Sequence, residues 1–461
     1  MSEIHSPDIY GHVVLAGSAG TPGQIVTSAG PGTQVTWITA PINVQSYGAV
    51  GNGITDDTLA IRAAITAAGI NGTLVFLPNK TYRVFGSLSP LTGQTWVGYG
   101  ATIKRCDEIS SPTITNITTG GSPPPITVAN GSLFSVGMDV TVYSGASYDP
   151  HNHRILTIVG NVITVGTAFT VAFPTGGTVI TSVTPIYNSG IADVTVTGFE
   201  FDGNQTNNTT LQKWDLHAEM YFNSDRGSIQ NCYLHDTQCE GLEVGGTSIL
   251  VDNCFILNTR GNGIHLFGTS APKITRNYVK NCNLAGVGVG HADGCIIASN
   301  TVGDAYITGN YCENGISGIG SWDSDDNSSL ICTGNTIRSC TTSAFEGTLP
   351  AATKVGRVIF SDNLIYSSQK VFLTCANTNL LSTQGAYKVL VSNNYIEDTP
   401  IYVQYSGNDI RIQGNMIYNS GTSALNIYVD RSANVAIDGN TVIGGGYGVY
   451  VDGTTLRDLL I

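Results

Sequence analysis

Short apolar strands separated by polar turns return along the second half of the chain. From about residue 190 onward, each unit reads as an apolar strand, an Asn, two or three apolar residues, a polar turn, and a glycine followed by another apolar strand. Most steps span 21 to 25 residues, and longer steps indicate loop insertions. The repeated asparagines are Asn231, Asn253, Asn277, Asn300 or Asn310, Asn335, Asn363, Asn394, Asn415 and Asn440. A repeat of this length predicts a solenoid rather than several globular domains.

The alternation of apolar and polar residues indicates that each unit of the solenoid is one coil of β-strands. Strands of successive coils would stack about 4.8 Å apart, with alternate side chains filling the interior. An Asn at the same turn of every coil can hydrogen-bond to its neighbours above and below, as in asparagine ladders. The pattern therefore predicts an all-β fold, a parallel β-helix. A β-sandwich with regular turns is the alternative, although sandwiches do not repeat an Asn in this way.

The segment before the coils predicts one helix. Thr55 is a candidate N-cap, and Asp56 and Asp57 would occupy the first turn, where carboxylates favour the helix dipole. Gly69 would end the helix. The apolar face would comprise Ile61, Ala64, Ile65 and Ala68. The strands "TLVFLP" and "TYRV" follow, so we expect this helix to cover the open end of the solenoid.

The same segment carries a resemblance to a known family. "YGAVGNGITDDTLAIRAAI" followed by "LVFLPNKTYRV" resembles the opening signature of the pectate-lyase superfamily, in the version shared by bacteriophage tailspikes and depolymerases. Asn52 stands where Asp is commoner in that signature. The resemblance covers residue 43 to the end, apart from an insertion. It implies a right-handed parallel β-helix with an amino-terminal capping helix, and it is specific for fold rather than for chemistry.

We divide the chain into four parts on this basis. Residues 1–42 form an attachment or linker segment, in which residues 20–38 are similar to linkers near the amino termini of phage tail fibres and tailspikes. Residues 43–109 hold the capping helix and the first coils. Residues 110–185 interrupt the coils with short strands and turns, which predict a small inserted β domain. Residues 186–461 form the main β-helix.

Composition narrows the classes of partner. Charged residues make up only 11% of the chain, and the net charge is −13. Without a Lys/Arg cluster, we expect no nucleic-acid partner. The chain shows no evident signal peptide and no run of 18 apolar residues, so we expect no membrane insertion. None of the ten cysteines forms a C-x-x-C pair, and we expect them to be buried, stacked free thiols.

Catalytic candidates were sought among outward positions, because inward residues of a coil are needed for packing. Aligning the coils places Glu243 and His265 on neighbouring strands, with Glu219 one coil away and roughly 8 Å from Glu243 between backbones. The expected outward row is Tyr221, Glu243, His265, Gly288 and Ser317, and a second row is Glu219, Gly241, Gly263, Gly286 and Gly315. Two carboxyls about 6.5–9.5 Å apart suit an inverting glycosidase. His265 could tune a partner's pKa or act as a base. The alternative is that these groups are solvated charges on an exposed sheet.

The small residues of these rows predict a groove along the sheet, and candidate substrate contacts lie around it. The candidates are Tyr221, Glu240, Arg260, His291, Asp293 and Trp322, the last as a stacking platform for a sugar ring. Asp323, Asp325 and Asp326 could bind a cation such as Ca²⁺, although a solvated acidic turn is the simpler interpretation. Arg260, Lys273 and Arg276 could neutralise a uronate carboxylate in a lyase. "YDPHNHR", with Tyr148, Asp149, His151 and His153, partly matches the catalytic Tyr and Asp-Pro-His of alginate epimerases but falls in the insert.

Three functions follow as hypotheses. The first is a tailspike-like depolymerase that hydrolyses a bacterial capsule, O-antigen or exopolysaccharide. The second is a lyase that cleaves a uronate polymer by β-elimination, and the third is a virion adhesin that binds glycan without cleaving it. The resemblance also implies a homotrimer in the virion tail, attached to the phage tail or baseplate through its amino terminus. No cofactor is expected; a structural or catalytic Ca²⁺ is the alternative.

Overall fold

A computed structural model describes residues 24–27, 36–119, 125–145, 147–210, 218–282, 294–299, 303–322, 329–349, 357–368, 371–375, 388–404, 409–421, 425–430 and 435–452. It confirms the predicted fold, because strands of successive coils pair in parallel along the molecule. Three parallel faces, which we call sheets A, B and C, enclose one apolar interior.

Within the described residues, sheet A has 11 strands in chain order and carries Tyr221, Glu243 and His265. Its strands are Ile186–Ser189, Met220–Asn223, Leu242–Thr247, Ile264–Ser270, Gly294–Ser299, Ser317–Trp322, Ser343–Leu349, Val371–Cys375, Ile401–Gln404, Leu425–Asp430 and Tyr447–Asp452.

Sheets B and C form the other two faces and share the long strands Thr95–Arg105 and Thr195–Asp202. Sheet B also contains Ile42–Asn43, Thr73–Val75, Ser228–Gln230, Leu250–Asp252, Lys273–Thr275, Asp304–Thr308, Ser329–Thr333, Arg357–Ser361, Lys388–Ser392, Asp409–Gln413 and Val435–Asp438. Sheet C also contains Asn52–Asp56, Lys80–Val84, Tyr233–His235, Phe255–Thr259, Tyr278–Cys282, Tyr311–Glu313, Thr336–Arg338, Leu364–Tyr366, Tyr395–Glu397, Met416–Asn419 and Thr441–Gly444.

Inward side chains of successive strands stack into apolar columns. On sheet A, one column is fully buried from coil to coil and consists of Met220, Leu242, Ile264, Ile296, Ile319 and Phe345. Because strand residues alternate between two faces, the residue after each member of this column points outward. The packing of the interior thereby fixes which side chains line the outer surface of sheet A.

The asparagine ladder runs from Asn277 to Asn440. Asn310 illustrates its bonding: its backbone N–H and its Nδ2 both donate to Oδ1 of Asn335, at 2.9 and 3.0 Å, and Nδ2 also donates to the carbonyl of Ile274. The members are Asn277, Asn310, Asn335, Asn363, Asn394, Asn415 and Asn440. The ladder is confirmed for these positions, with Asn310 rather than Asn300 as its second member.

The assignment of Asn231 and Asn253 to this ladder is wrong by one residue. Cys232 and Cys254 occupy the ladder position in the first coils, and the backbone N–H of Cys254 donates to Oδ1 of Asn277. Asn231 and Asn253 lie one position earlier, at an exposed corner where φ is 54° and 52°. Asn tolerates this left-handed conformation, which explains its presence there. The same corner in later coils holds Arg276, Gly309, Gly334, Asp362, Asn393, Gly414 and Gly439, all with positive φ.

The capping helix spans Thr58–Ala68 and buries its predicted apolar face. It begins two residues later than expected, because Thr55 and Asp56 belong to the strand Asn52–Asp56. Thr55 is therefore not the N-cap. Asp57 holds that position without a side-chain cap, and its carboxylate instead accepts from the backbone N–H groups of Val50 and Gly51. The helix ends at Gly69, as predicted.

An antiparallel insert lies between the shared strand Thr95–Arg105 and the first strand of sheet A, Ile186–Ser189. Its strands are Ser110–Pro112, Ile126–Thr127, Asp139–Ser144, Ser147–Tyr148, His153–Val159, Val162–Val165 and Thr178–Thr181. They make a 7-stranded sheet with an apolar cluster of its own, separate from the interior of the coils. The strands Gln24–Thr27 and Thr36–Thr39 form a further antiparallel pair, and short 3-10 helices lie at Val44–Tyr47, Gly131–Leu133 and Gln205–Asn207.

Nine cysteines of the described residues are free and buried, as predicted. They are Cys106, Cys232, Cys239, Cys254, Cys282, Cys295, Cys312, Cys332 and Cys340. Burial raises the pKa of the Cys332 thiol well above its usual value, so the thiol stays protonated and packs as a small apolar group. Among the described residues, no helix is long and apolar enough to cross a membrane.

Candidate functional site

Two tyrosines, a glutamate and a histidine lie side by side in one row on the outward side of sheet A. Tyr187, Tyr221, Glu243 and His265 are direct partners on neighbouring strands, which confirms the predicted adjacency of Glu243 and His265. The Tyr187 and Tyr221 rings stack at 5.0 Å between centroids. Burial and the nearby Glu243 carboxylate raise the pKa of Tyr221, which keeps the phenol protonated as a hydrogen-bond donor.

Beyond His265, the residues in this row differ from those that the sequence predicted. The next strand is Gly294–Ser299, so Ile297 follows His265 and Gly320 follows Ile297. Gly288, which we expected at that place, lies outside the described residues. Ser317 belongs to the adjacent row, where it pairs with Gly294 and Ser343. The prediction of Ser317 on the same row as Glu243 is therefore wrong.

Glu240 holds the imidazole of His265. Nδ1 of His265 lies 3.1 Å from Oε1 and 3.3 Å from Oε2 of Glu240, and Nδ2 of Asn262 donates to Oε1 at 3.1 Å. Glu240 is only 1% exposed and His265 only 7%. A buried carboxylate on one ring nitrogen fixes the orientation of the imidazole and the nitrogen that carries its proton. The sequence placed Glu240 at the border of the groove, whereas the structure makes it the partner of His265.

Glu219 does not line the groove, and the prediction that it forms a surface pair with Glu243 is wrong. Its side chain is fully buried, and Oε2 lies 3.2 Å from Nη2 of Arg105. The chain turns a corner before each strand of sheet A, so this position faces the interior. Gly241 is the residue equivalent to Glu219 on the next strand. A Cβ at Gly241 would lie 2.6 Å from the carbonyl oxygen of Gly263, so this position faces neighbouring backbone and not solvent. A carboxyl in this position cannot reach a polymer outside the β-helix.

Burial nevertheless gives Glu219 a measurable role in stability. Desolvation raises its pKa from 4.5 to about 7, although Arg105 opposes the shift. A raised pKa stabilises the folded state below pH 4.5, and this contribution is lost as the pH rises to about 7. The free energy of unfolding of the wild type should therefore fall by about 3 kcal/mol between these pH values. Glu219→Gln should not show this fall. Urea unfolding of both proteins across this range would check it, and parallel curves would refute the assignment.

A cleft of about 730 Å³ opens between the insert and the first strands of sheet A. Tyr187, Tyr221 and Glu243 line it on the β-helix side, together with Ala218 and Thr184. The insert contributes Pro150, His151, Asn152, Arg154, Leu156, Gly166, Thr167, Ala168 and Thr170. A concave site with aromatic walls and a few converging polar groups is the usual form of a ligand site. The predicted row thus ends in a pocket that the sequence did not indicate.

Asp149 organises the insert's side of this cleft. It is fully buried and accepts hydrogen bonds from the backbone N–H groups of Thr170 and Val171, at 2.6 and 3.1 Å. Its Oδ1 lies 3.1 Å from Nε2 of His153, which is also buried, and 3.1 Å from Nδ1 of His151. Burial opposes ionisation, but the bond to His153 and the two N–H groups lower the pKa of Asp149 overall. The "YDPHNHR" segment therefore places one exposed imidazole, that of His151, in the cleft.

The remaining candidates lie elsewhere. Arg260 donates to the carbonyls of Asn208 and Gln205 at 2.7 and 3.1 Å, and so holds a loop. Lys273 and Arg276 lie on the sheet B side, where Arg276 pairs with Asp252. Trp322 ends a strand of sheet A. His291, Asp293, Asp323, Asp325 and Asp326 lie outside the described residues. Within the described ranges, no group of three or more His, Cys, Asp or Glu side chains is arranged to hold a metal ion.

The structure shows a second polar cluster that the sequence analysis missed. Glu346 lies four strands beyond Glu243 in the same row, roughly 19 Å away at about 4.8 Å per strand. Its Oε2 lies 3.2 and 3.3 Å from the hydroxyls of Ser317 and Ser343, which are buried. Composition does not single out Glu346. Finding it requires the strand register that the structure shows, in which Gly320 pairs with Glu346. The outer surface of sheet A therefore carries ordered carboxylates at two places along its length.

Comparisons with known proteins agree with this architecture. The family described as "Right handed beta helix region" matches residues 144–329 and 219–384. PfbA, a surface adhesin of Streptococcus pneumoniae, superposes with a TM-score of 0.53 at 15% identity, over 89% of this chain and 93% of PfbA. A family 28 exopolygalacturonase of Yersinia enterocolitica also gives 0.53, at 11% identity, over 92% of this chain and 79% of that enzyme. Likeness at such low identity shows the fold alone.

One stretch matches curated proteins more closely in sequence. Mannuronan C5-epimerase AlgE5 of Azotobacter vinelandii is 50% identical over 52 residues, which are 11% of this chain. The matched segment spans only 5% of the epimerase's own length.

Proposed function

We propose, from the premise that this chain belongs to the right-handed β-helix family, that it binds and cleaves a bacterial surface polysaccharide by glycoside hydrolysis. One observation carries the proposal. Glu243 and His265 stand side by side in register, Glu243 lines the cleft, and buried Glu240 fixes the His265 imidazole. A positioned carboxyl beside a positioned imidazole provides the two groups that acid–base cleavage of a glycosidic bond requires.

Each group has a defined task in the proposed reaction. Glu243 donates its proton to the glycosidic oxygen as the bond from that oxygen to the anomeric carbon breaks. His265 takes a proton from the attacking water, whose oxygen forms the new bond to the anomeric carbon. Glu240 stabilises the imidazolium formed in this step, as a carboxylate on the far ring nitrogen does in catalytic dyads. The ring of Tyr187, which is 42% exposed, offers a surface for the sugar.

The biological setting is proposed on separate grounds. The opening signature and the linker-like residues 20–38 support a tailspike that acts as a homotrimer at the virion tail. The epimerase and exopolygalacturonase names among the relatives agree with a polysaccharide as ligand.

A lyase is the second candidate, and the same pair of residues favours it. His265 could remove the proton next to a uronate carboxylate while Glu243 protonates the leaving oxygen, which would give an unsaturated product. A non-catalytic adhesin is the third candidate, as the name of PfbA suggests.

One experiment separates these functions. The purified chain is incubated with a panel of capsular polysaccharides, O-antigens and exopolysaccharides, and products are followed by reducing ends, ultraviolet absorbance and mass spectrometry. Hydrolysis gives reducing ends without absorbance, and elimination gives absorbance from the conjugated uronate. Binding without any product over long incubation would support the adhesin and overturn the proposal.

His265→Asn should lower the turnover number about 100-fold, since positioned acid–base groups contribute factors of this size. His235→Asn is the matched control. That histidine lies on sheet C, is also mostly buried, and is held by Asp236 and Glu200 at 2.9 and 3.1 Å. Burial disfavours its protonation, but these two bonds raise the pKa of His235 overall. Equal rates for the two variants would exclude His265 from the reaction.

A further inference from the structure

We infer that the cleft binds an acidic sugar residue, with the carboxylate of the sugar held between Arg154 and His151 of the insert. The inference rests on the proposed function, because it names the substrate class of that same site. It starts from a half-exposed arginine on the insert's wall of the cleft, across from Glu243.

Arg154 has hydrogen-bonding capacity left for a ligand. Its side chain is 44% exposed and lines the cleft. Its hydrogen bonds are long: Nε donates to Oδ1 of Asp139 and Nη2 donates to the carbonyl of Ser87, both at 3.4 Å. Arginine presents five N–H donors in a planar fork that matches a carboxylate. Two weak contacts leave most of these donors available.

Asp139 does not need Arg154 for its charge balance. Its Oδ2 accepts from the backbone N–H of Ser87 at 2.7 Å, and Oδ1 lies 3.5 Å from Nη2 of Arg62. Arg62 is the more deeply buried arginine and also donates to the carbonyl of Gly137 at 2.7 Å. Two arginines therefore face one aspartate at this wall, and the surplus positive charge lies on the exposed one, Arg154.

His151 adds a second donor beside Arg154. Its side chain is 57% exposed, and Nδ1 is held by Asp149, whose carboxylate is fixed by the insert's backbone. The bond to Nδ1 aims the other ring nitrogen, Nε2, away from Asp149, and His151 lines the cleft. With Nδ1–H donating to Asp149, Nε2 accepts a hydrogen bond in the neutral ring and donates one to an anion when the ring is protonated.

The opposite wall explains how the sugar would be oriented. Glu243 lies there with Tyr221 and Tyr187. The carboxylate of a sugar would bond to Arg154 on the insert's side, which turns the opposite face of the sugar toward Glu243 and His265. A neutral sugar would lack this charged bond to Arg154. The insert is therefore the element that determines specificity for an acidic residue.

Carboxyl-reduced substrates test this inference directly. Each acidic polysaccharide cleaved in the panel is compared with its carboxyl-reduced derivative, in which the uronate is converted to the neutral sugar. The wild-type kcat/KM should fall about tenfold or more on reduction, the size expected for a lost charged hydrogen bond. Cleavage of reduced and acidic polymers at equal rates, or of neutral polymers alone, would overturn the inference while leaving the proposed hydrolysis intact.

Substitutions in the insert test whether Arg154 and His151 cause the preference for the acidic polymer. Arg154→Gln should lower kcat/KM on the acidic polymer about tenfold, mainly through KM, and should have a much smaller effect on the reduced polymer. His151→Gln should act in the same direction. Arg357→Gln is the matched control, because Arg357 is 45% exposed and pairs with Asp304 at 3.2 Å on sheet B, away from the cleft. A loss that is equal on both polymers would indicate a structural effect and contradict the assignment.

A binding measurement keeps the inference testable if no polymer is cleaved. Galacturonate and glucuronate trisaccharides, and their neutral counterparts, are titrated into the wild-type chain by calorimetry. The acidic trisaccharides should bind more tightly than the neutral ones, and Arg154→Gln should abolish the difference. Equal affinities would reject the inference, whereas the absence of cleavage alone would reject only the proposed hydrolysis.

Discussion

Glu243→Gln is expected to reduce the release of reducing ends on the order of a thousandfold while leaving polysaccharide binding in place. The substitution keeps the size and polarity of a side chain that lines the cleft, but glutamine has no acidic proton to give to the glycosidic oxygen. General acid–base groups contribute about 10²- to 10⁴-fold to such reactions. Initial rates on the best polymer of the panel, and calorimetric titration of the same polymer, measure the two effects separately.

Glu313→Gln serves as the control for this substitution. Glu313 is also a half-buried strand glutamate, but it lies on sheet C and pairs with Lys280 at 3.0 Å. Its replacement should leave the rate within about twofold, the scatter expected for a surface site away from the reaction. A Glu243→Gln variant with wild-type turnover would exclude Glu243 as the proton donor, whereas simultaneous loss of binding and turnover would point to damage of the cleft.

Asn335→Ala is expected to destabilise the β-helix by about 5 kcal/mol. Oδ1 of Asn335 accepts from the backbone N–H and from Nδ2 of Asn310, and Nδ2 of Asn335 donates to the carbonyl of Ile307 and to Oδ1 of Asn363. Alanine leaves the Asn310 N–H groups and the Ile307 carbonyl without these partners inside the molecule. Each buried group left unsatisfied costs about 1–3 kcal/mol.

The two asparagine positions of the repeat provide a matched comparison. Asn253→Gly removes an exposed asparagine whose Nδ2 donates to Asn231, at a corner where φ is 52° and glycine fits without strain. Its cost should stay below about 1 kcal/mol, because the groups it frees can bond to water. Unfolding midpoints in denaturant would rank the variants. Similar losses for both would mean that the ladder adds little beyond local packing.

Periodicity alone was sufficient to predict the coils. Inward residues such as Leu242 and Ile264 recur because each must fill the same place in the interior, and the ladder asparagines recur because each satisfies the same backbone groups. Both requirements repeat in every coil, so they leave a period in the sequence. The neighbours Glu243 and His265 followed correctly from this period.

Departures from periodicity caused the errors. The stretch "LAGVGVGHADG" alternates glycine and apolar residues and so resembles a strand of sheet A, but the strand that follows His265 is Gly294–Ser299. Glu219 was assigned outward by strict alternation, which fails where the backbone turns at a corner. Asn231 was assigned to the ladder although Cys232 holds that position. In each case the local residue pattern fits two registers one or more residues apart.

The cleft could not be predicted from sequence, because it depends on how the insert lies against the coils. Arg154 and Tyr187 are on different elements and share no repeat. Their proximity comes from contacts such as that of Arg154 with the Ser87 carbonyl, which links the insert to the first coils. No local pattern encodes such an arrangement, and a structure was needed to show that Arg154 and Glu243 line the same cleft.

The insert leaves the coils and returns to them at nearly the same point. Its first and last strands are antiparallel neighbours, with Ser110 opposite Ile180 and Pro112 opposite Thr178. Exchange of this loop for that of another chain therefore need not disturb the coils, because the two junctions stay at a fixed separation. Recombination at these junctions would give the cleft a new wall while Glu243 and His265 keep their places on sheet A. The ligand that the cleft admits could in this way change through a single modular replacement.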